Sequence, residues 1–163
     1  MTEASGQIGL YTVSTSFGTA ILPGDAVVMT SSAGFLVLYT SGATPIGVAA
    51  ENAVASLSSA KRIGVYHDPD QVFVIQHSSA STPPGIGGVV GITTTSTSIG
   101  VTRSRMMAGV VAPVFGNAAV STGALRIVGV HPIELIDGST GIPANTKLLV
   151  KFNLHSFGNQ LTT

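Results

Sequence analysis

The chain has 163 residues, of which 9% are charged, against roughly 25% in an average soluble domain. Seven Lys and Arg balance seven Asp and Glu, so the formal net charge at neutral pH is zero. We expect no nucleic-acid partner, because phosphate binding needs an excess of basic side chains. The absence of cysteine excludes disulfides, thiolate metal sites and thiol nucleophiles.

Apolar residues dominate the composition. Hydrophobic residues make up 44% of the chain, and the mean hydropathy is +0.49. A surface this poor in charge is weakly protected against association, so we expect partners to cover much of it. No apolar run approaches the ~18 residues of a membrane-spanning helix, and no signal-peptide pattern follows Glu3. The sequence predicts a protein made in the cytoplasm, with no membrane partner.

Short runs rich in β-branched and aromatic residues recur along the chain, each closed by Gly, Pro, Ser or Asp, as in strands separated by turns. No repeat of 20 to 50 residues is visible. This pattern predicts one all-β domain over residues 1–163, a β-sandwich or small jelly-roll-like barrel with little helix. The predicted strands are 8–13, 26–30, 35–39, 46–49, 62–66, 71–77, 88–94, 108–114, 124–130 and 147–154.

Turn chemistry predicts two hairpins. In residues 21–39, a Ser-Ser-Ala-Gly loop separates two apolar runs. In residues 62–77, the turn His-Asp-Pro-Asp lies between two β-rich runs, because Pro fixes its own φ and Asp caps turns. Residues 49–60 have a weak helical pattern, and 78–91, with two prolines and four glycines, predict a long loop.

The last predicted strand alternates between apolar and polar residues. One face is predicted to carry Leu148, Val150, Phe152 and Leu154, and the other Lys147, Lys151, Asn153 and His155.

Enzymatic sites have little support in the sequence. No G-x-S-x-G elbow is present to hold a nucleophilic serine. Asp68 and Asp70 flank a proline in a turn and supply too few oxygens for calcium. The histidines are isolated, which does not fit a metal site built on one strand. These histidines are His67, His77, His131 and His155. We expect no catalytic residue, no metal ligand and no cofactor.

Two further kinds of site match the sequence in part. The glycines in 85–91 do not form a dinucleotide fingerprint, because Val90 stands where its last glycine belongs and 93–97 is a poor helix start. A glycosidase-like carboxylate pair stays open, since acidic residues distant in sequence can meet in space. The candidates are Glu51, Asp68, Glu134 and Asp137.

Two segments resemble the capsid decoration (cement) proteins of tailed bacteriophages. Residues 65–76, VYHDPDQVFVIQ, give a strand, an acidic turn and a strand ending in Gln, although His67 stands where a further acidic residue is expected. Residues 125–155 give a Val/Ile-rich strand, a loop with Gly and Ala-Asn, and a final strand closing on Asn-x-His. The strand at 46–49, after Thr-Pro, also fits this pattern.

The resemblance implies a structural virion protein without catalytic residues. Its expected form is a compact β-domain, a homotrimer, at three-fold or quasi-three-fold positions on the outside of the capsid. Its expected partner is the major capsid protein, whose neighbouring subunits it would tie together. The expected location is the virion surface.

For the contact with the shell, we predict an N-terminal arm within residues 1–11. Ile8, Leu10 and Tyr11 follow a Ser-Gly opening and would add a strand to a neighbouring subunit. The alternative is that they form the protein's own first strand. Other functions stay open, namely a tail or head-fibre module, a carbohydrate-binding β-sandwich, or a small trimeric enzyme. The absence of Trp and the presence of only three Tyr make sugar stacking less favourable.

Overall fold

The computed structural model describes residues 7–14, 20–31, 33–40, 42–54, 59–77, 87–94, 106–109, 124–131 and 147–156. Within these residues every regular element is a β-strand, which confirms the all-β class. No helix there is long and apolar enough to cross a membrane. The strands are β1 (Ile8–Val13), β2 (Ala26–Met29), β3 (Leu36–Leu38), β4 (Gly47–Ala49), β5 (Lys61–Tyr66), β6 (Phe73–His77), β7 (Val89–Thr94), β8 (Met106–Gly109), β9 (Leu125–Val130) and β10 (Lys147–Phe152).

The described residues divide into two compact units, where the sequence predicted one domain. The first unit holds β1 to β5 together with His155 and Ser156, and the second holds β6 to β10. Each unit has its own closed sheet. Strand positions can be read from local patterns, but the partner of each strand depends on contacts between distant residues, so the division was not visible in the sequence.

The first barrel has the strand order β1-β3-β2-β4-β5, and β5 pairs again with β1. The pair β1 and β3 is parallel, and every other pair is antiparallel. Strands β2 and β3 form the hairpin predicted at 21–39, with Val27 opposite Leu38. In its loop, Gly34 has a φ of 64°, a conformation that glycine adopts without a steric penalty.

The second barrel repeats this arrangement. Its order is β6-β8-β7-β9-β10, and β10 pairs again with β6. The pair β6 and β8 is parallel, and the other pairs are antiparallel. Counted from its own first strand, each barrel therefore has the order 1-3-2-4-5 with one parallel pair, between strands 1 and 3.

Each barrel encloses aliphatic side chains. Burial of such side chains stabilises the fold by roughly 1.5–3 kcal/mol each. The first core contains Val13, Ile21, Val27, Leu36, Ile46, Ala49, Ala53, Ile63 and Val65. In the second unit the buried residues include Ile75, Val90, Leu125, Ile127, Leu148, Val150 and Phe152. The rings of Phe73 and Phe152 meet edge to face, with centroids 5.5 Å apart.

The hairpin predicted at 62–77 is wrong. Strand β5 pairs with β1 and β4, whereas β6 pairs with β8 and β10, so the acidic turn connects the two units. The turn itself forms as its residues predict. The Asp68 carboxylate accepts a 2.9 Å hydrogen bond from the Asp70 backbone N–H, and the Asp68 carbonyl accepts one from Gln71.

The last strand ends earlier than predicted, at Phe152. Leu148, Val150 and Phe152 are buried as the alternation predicts, and Leu154 is half-buried. His155, predicted on the outer face, is buried in the first unit, because the chain leaves the strand before reaching it. The described part of 49–60 contains the end of β4 and the Ile21–Ala53 bridge rather than a helix.

Candidate functional site

The outer surface of β1 and β5 is the candidate binding site. It is defined here as the first outer face and consists of Ile8, Leu10, Arg62, Gly64 and Tyr66. Strand alternation places these residues outside, because Val13, Ile63 and Val65 occupy the inner positions. Ile8 is 54% exposed and Leu10 is 59% exposed, so the two side chains form an exposed apolar patch on successive outer positions of β1.

Sheet register brings these side chains together. Ile8 lies directly opposite Tyr66, and Leu10 lies opposite Gly64. A Cβ placed on Gly64 would lie 3.1 Å from Cγ2 of Ile8, so the missing side chain leaves room for Ile8 to lie across the strand pair. The first outer face is therefore an apolar surface on a hydrogen-bonded strand pair, with the exposed Arg62 at one end opposite Thr12.

Tyr11 belongs to the other side of β1. Its hydroxyl lies 2.6 Å from Nδ1 of His67, and the two rings meet edge to face with centroids 5.8 Å apart. Gly9 makes this contact possible, because a Cβ there would lie 2.5 Å from the same nitrogen. Burial raises the pKa of Tyr11 above its ordinary value.

His155 lies in the same unit as this pair. It is 6% exposed, and burial lowers its pKa. A hydrogen bond with the backbone of Ile46 and the nearby Asp68 carboxylate oppose this lowering of the pKa, while the neighbouring His67 adds to it. The arrangement is a packed polar contact within the first unit.

The three predicted contact residues do not share a face. Ile8 and Leu10 point outward, whereas Tyr11 bonds to His67 on the opposite side of the strand. All three belong to the protein's own first strand, which pairs with β5 along its whole length. They therefore do not form a free arm, and residues 1–6 of the predicted arm lie outside the described residues. A contact with a partner would use side chains of a formed sheet.

The other sites considered from the sequence gain no support. Among the described residues, no group of three or more His, Asp or Glu is placed to hold a metal ion. Glu51 and Asp68 lie in the first unit, while Glu134 and Asp137 lie outside the described residues. Gly87 and Gly91 belong to a turn and to β7, where no helix N-terminus is available to a phosphate.

Sequence reasoning missed Arg62, Gly64 and Tyr66. It also missed Val72 and Val74, which are about as exposed as Ile8 and Leu10. A signal was present. In IGLYTV and in VFVI, nearly every residue is apolar, so neither face of the strand is polar. When one face of such a strand lines a barrel, the other must expose apolar side chains unless something covers it.

No protein-family model, curated protein or solved structure matches the chain. Within the described residues, the fold is all-β and consists of two five-stranded units.

Proposed function

We propose that the chain is a structural virion protein that binds the outside of a phage capsid and stabilises contacts between major capsid subunits. The first outer face carries this proposal. A protein with 9% charged residues exposes Ile8 and Leu10 on a hydrogen-bonded strand pair, outside the buried core of the barrel. Adjacent exposed apolar side chains on one strand pair support an interaction role for this face.

The physical character of the face fits attachment to a large assembly. Strand pairing fixes its backbone, so covering the face orders side chains only and costs no backbone entropy. The surface is small, and a small contact becomes stable when one molecule, or an oligomer, binds several sites at once. Occupied sites then stabilise the assembled shell over its dissociated subunits by mass action.

The test is quantitative mass spectrometry of purified virions, with the chain's copy number compared with that of the major shell protein. A cement role predicts a ratio near one, or near one half where one chain joins two shell subunits. A ratio of a few per cent would indicate a tail, vertex or fibre component instead. Absence of the chain from the particle would overturn the proposal.

A second measurement separates stabilisation from mere presence. Particles made without the chain should lose DNA at lower temperature than complete particles, and purified protein added back should restore the original temperature. Equal stability with and without the chain would contradict the cement role even at full occupancy.

A further inference from the structure

The two barrels correspond residue by residue, because sheet register fixes the alignment. Ile63 of β5 faces the first core and lies opposite Tyr11 of β1. Leu148 of β10 faces the second core and lies opposite Ile75 of β6. Matching these two pairs aligns β1 with β6 and β5 with β10.

The same alignment holds around each ring. It matches Val27 with Val90 and Ala49 with Ile127, and all four side chains are buried. It also agrees with the parallel pair of each barrel. Between β9 and β10 it holds from Val150 onward, because the register shifts at a bulge between Leu149 and Val150. Agreement of all five pairings means that both barrels close with the same strand stagger.

The exposed apolar residues of β1 and of the start of β6 correspond as well, whereas Gly64 aligns with Leu149 and Tyr66 with Lys151. Leu10 and Ile8 lie one and three residues before Tyr11, and Val74 and Val72 lie one and three residues before Ile75. Val72 is 45% exposed and Val74 is 55% exposed, close to the values of their counterparts. The second outer face is defined as Val72, Val74, Lys147, Leu149 and Lys151.

The matching exposed residues do not reflect a surface that is apolar throughout. Among the described residues, seven large hydrophobic side chains are exposed, and five of them lie on the two outer faces. The cations correspond too, because Arg62 precedes Ile63 and Lys147 precedes Leu148, and both are exposed. Closure of a barrel constrains its inner positions only, so it does not explain a repeat on the outside.

We infer that each barrel carries one copy of the same docking face, and that the chain binds two copies of one partner surface. That partner surface is an apolar strip with a carboxylate placed to meet Arg62 or Lys147. Glu51 borders the first face only, near Gly64, so the cation is the charge that both faces share. The inference rests on the proposed function, in which the partner is the repeating subunit of a shell.

The size of the faces favours a repeating partner. A few half-exposed side chains bury on the order of 200–300 Å², well below the roughly 800 Å² per partner of a standard interface. One face alone is too small for stable binding, whereas two faces on one chain combine through effective concentration. A second copy of this chain fits less well, because two self-binding faces per molecule would link molecules into rings or open chains, and neither face would then be left for a shell.

The experiment adds purified protein to particles made without it and measures the apparent Kd and saturation. Leu10→Asp and Val74→Asp each place a carboxylate on one face, and the double variant alters both. The matched control is Val54→Asp, because Val54 is 58% exposed and lies on neither face. Leu10→Thr and Val74→Thr are milder versions that retain strand propensity, and thermal unfolding verifies the fold of each.

We expect each single Asp variant to weaken binding by roughly 10- to 100-fold, the double variant to abolish it, and Val54→Asp to bind like wild type. If the wild-type chain binds and Val74→Asp binds equally well, the second docking face is overturned, while the proposed function stays intact. Failure of the wild-type chain to bind would overturn both. If light scattering shows that the wild-type chain is an oligomer and the double variant is a monomer, the faces join copies of this chain. The proposed contact with the shell is then wrong.

Discussion

The hydroxyl of Tyr11 lies 2.6 Å from Nδ1 of His67, which joins the first strand to the residue directly after β5. The contact fixes the end of the first barrel from which the chain continues to the second unit. Tyr11 is half-buried, so the bond is partly shielded from water. A shielded hydrogen bond of this kind contributes about 1 kcal/mol to stability.

Tyr11→Phe should therefore lower the free energy of unfolding by about 1 kcal/mol, because it removes the hydroxyl while retaining the ring. Urea denaturation followed by circular dichroism measures the difference. Tyr66→Phe is the matched control, since Tyr66 lies on the outer face, and it should change stability by less than about 0.5 kcal/mol. Equal effects of the two variants would contradict the role assigned to the bond.

Gly47 should tolerate no side chain. A Cβ there would fall on the carbonyl oxygen of Tyr66, which is backbone and has no freedom to move aside. Gly47→Ala should destabilise the protein by about 2 kcal/mol or more. Gly129→Ala is the control, because its Cβ would make only ordinary contact with Leu149 at 3.6 Å. Thermal unfolding of both variants checks this prediction. Equal melting temperatures of Gly47→Ala and Gly129→Ala would contradict it.

His155 should make the protein sensitive to mild acid. Burial lowers its folded-state pKa, so the unfolded chain binds more protons between the ordinary value of about 6.5 and that lower pKa. Stability should be lost as the pH falls from 7.5 through this window. The nearby His67 contributes to this lowering of the His155 pKa, and Asp68 partly offsets it.

The measurement is the melting temperature at intervals between pH 7.5 and 5.5. His155→Gln keeps a hydrogen-bond donor without the titration, so its melting temperature should fall less over this range than that of wild type. His131→Gln, in the other unit, should retain the wild-type profile. A wild-type profile in His155→Gln would assign the acid sensitivity to another group.

Attachment to particles should survive high salt. The outer faces are apolar apart from a few cations, and ionic strength screens charge pairs without weakening apolar contact. Between 0.1 and 1 M NaCl we expect the apparent Kd to change by less than about tenfold. A steeper loss, measured by co-sedimentation with particles, would show that ion pairs dominate binding.

Local patterns in the sequence were sufficient to locate the strands and to predict the all-β class. The prediction for β1 matches the structure at both ends, and β5 and β9 differ by one residue at their starts. This succeeds because the alternation of side chains and the chemistry of turns depend on neighbouring residues. The same information predicted that Leu148 and Val150 share one face.

Tertiary structure alone decided which strands pair. The segments β5 and β6 look like a hairpin, yet each closes a different barrel, because pairing depends on cores assembled from residues far apart in the chain. Pairing also decided that Ile8 is exposed while Val13 is buried. It further showed that Leu10 and Val74 occupy equivalent positions in the two barrels. Strand alternation has the same period on both faces, so only the closed sheet could determine which face lies inside.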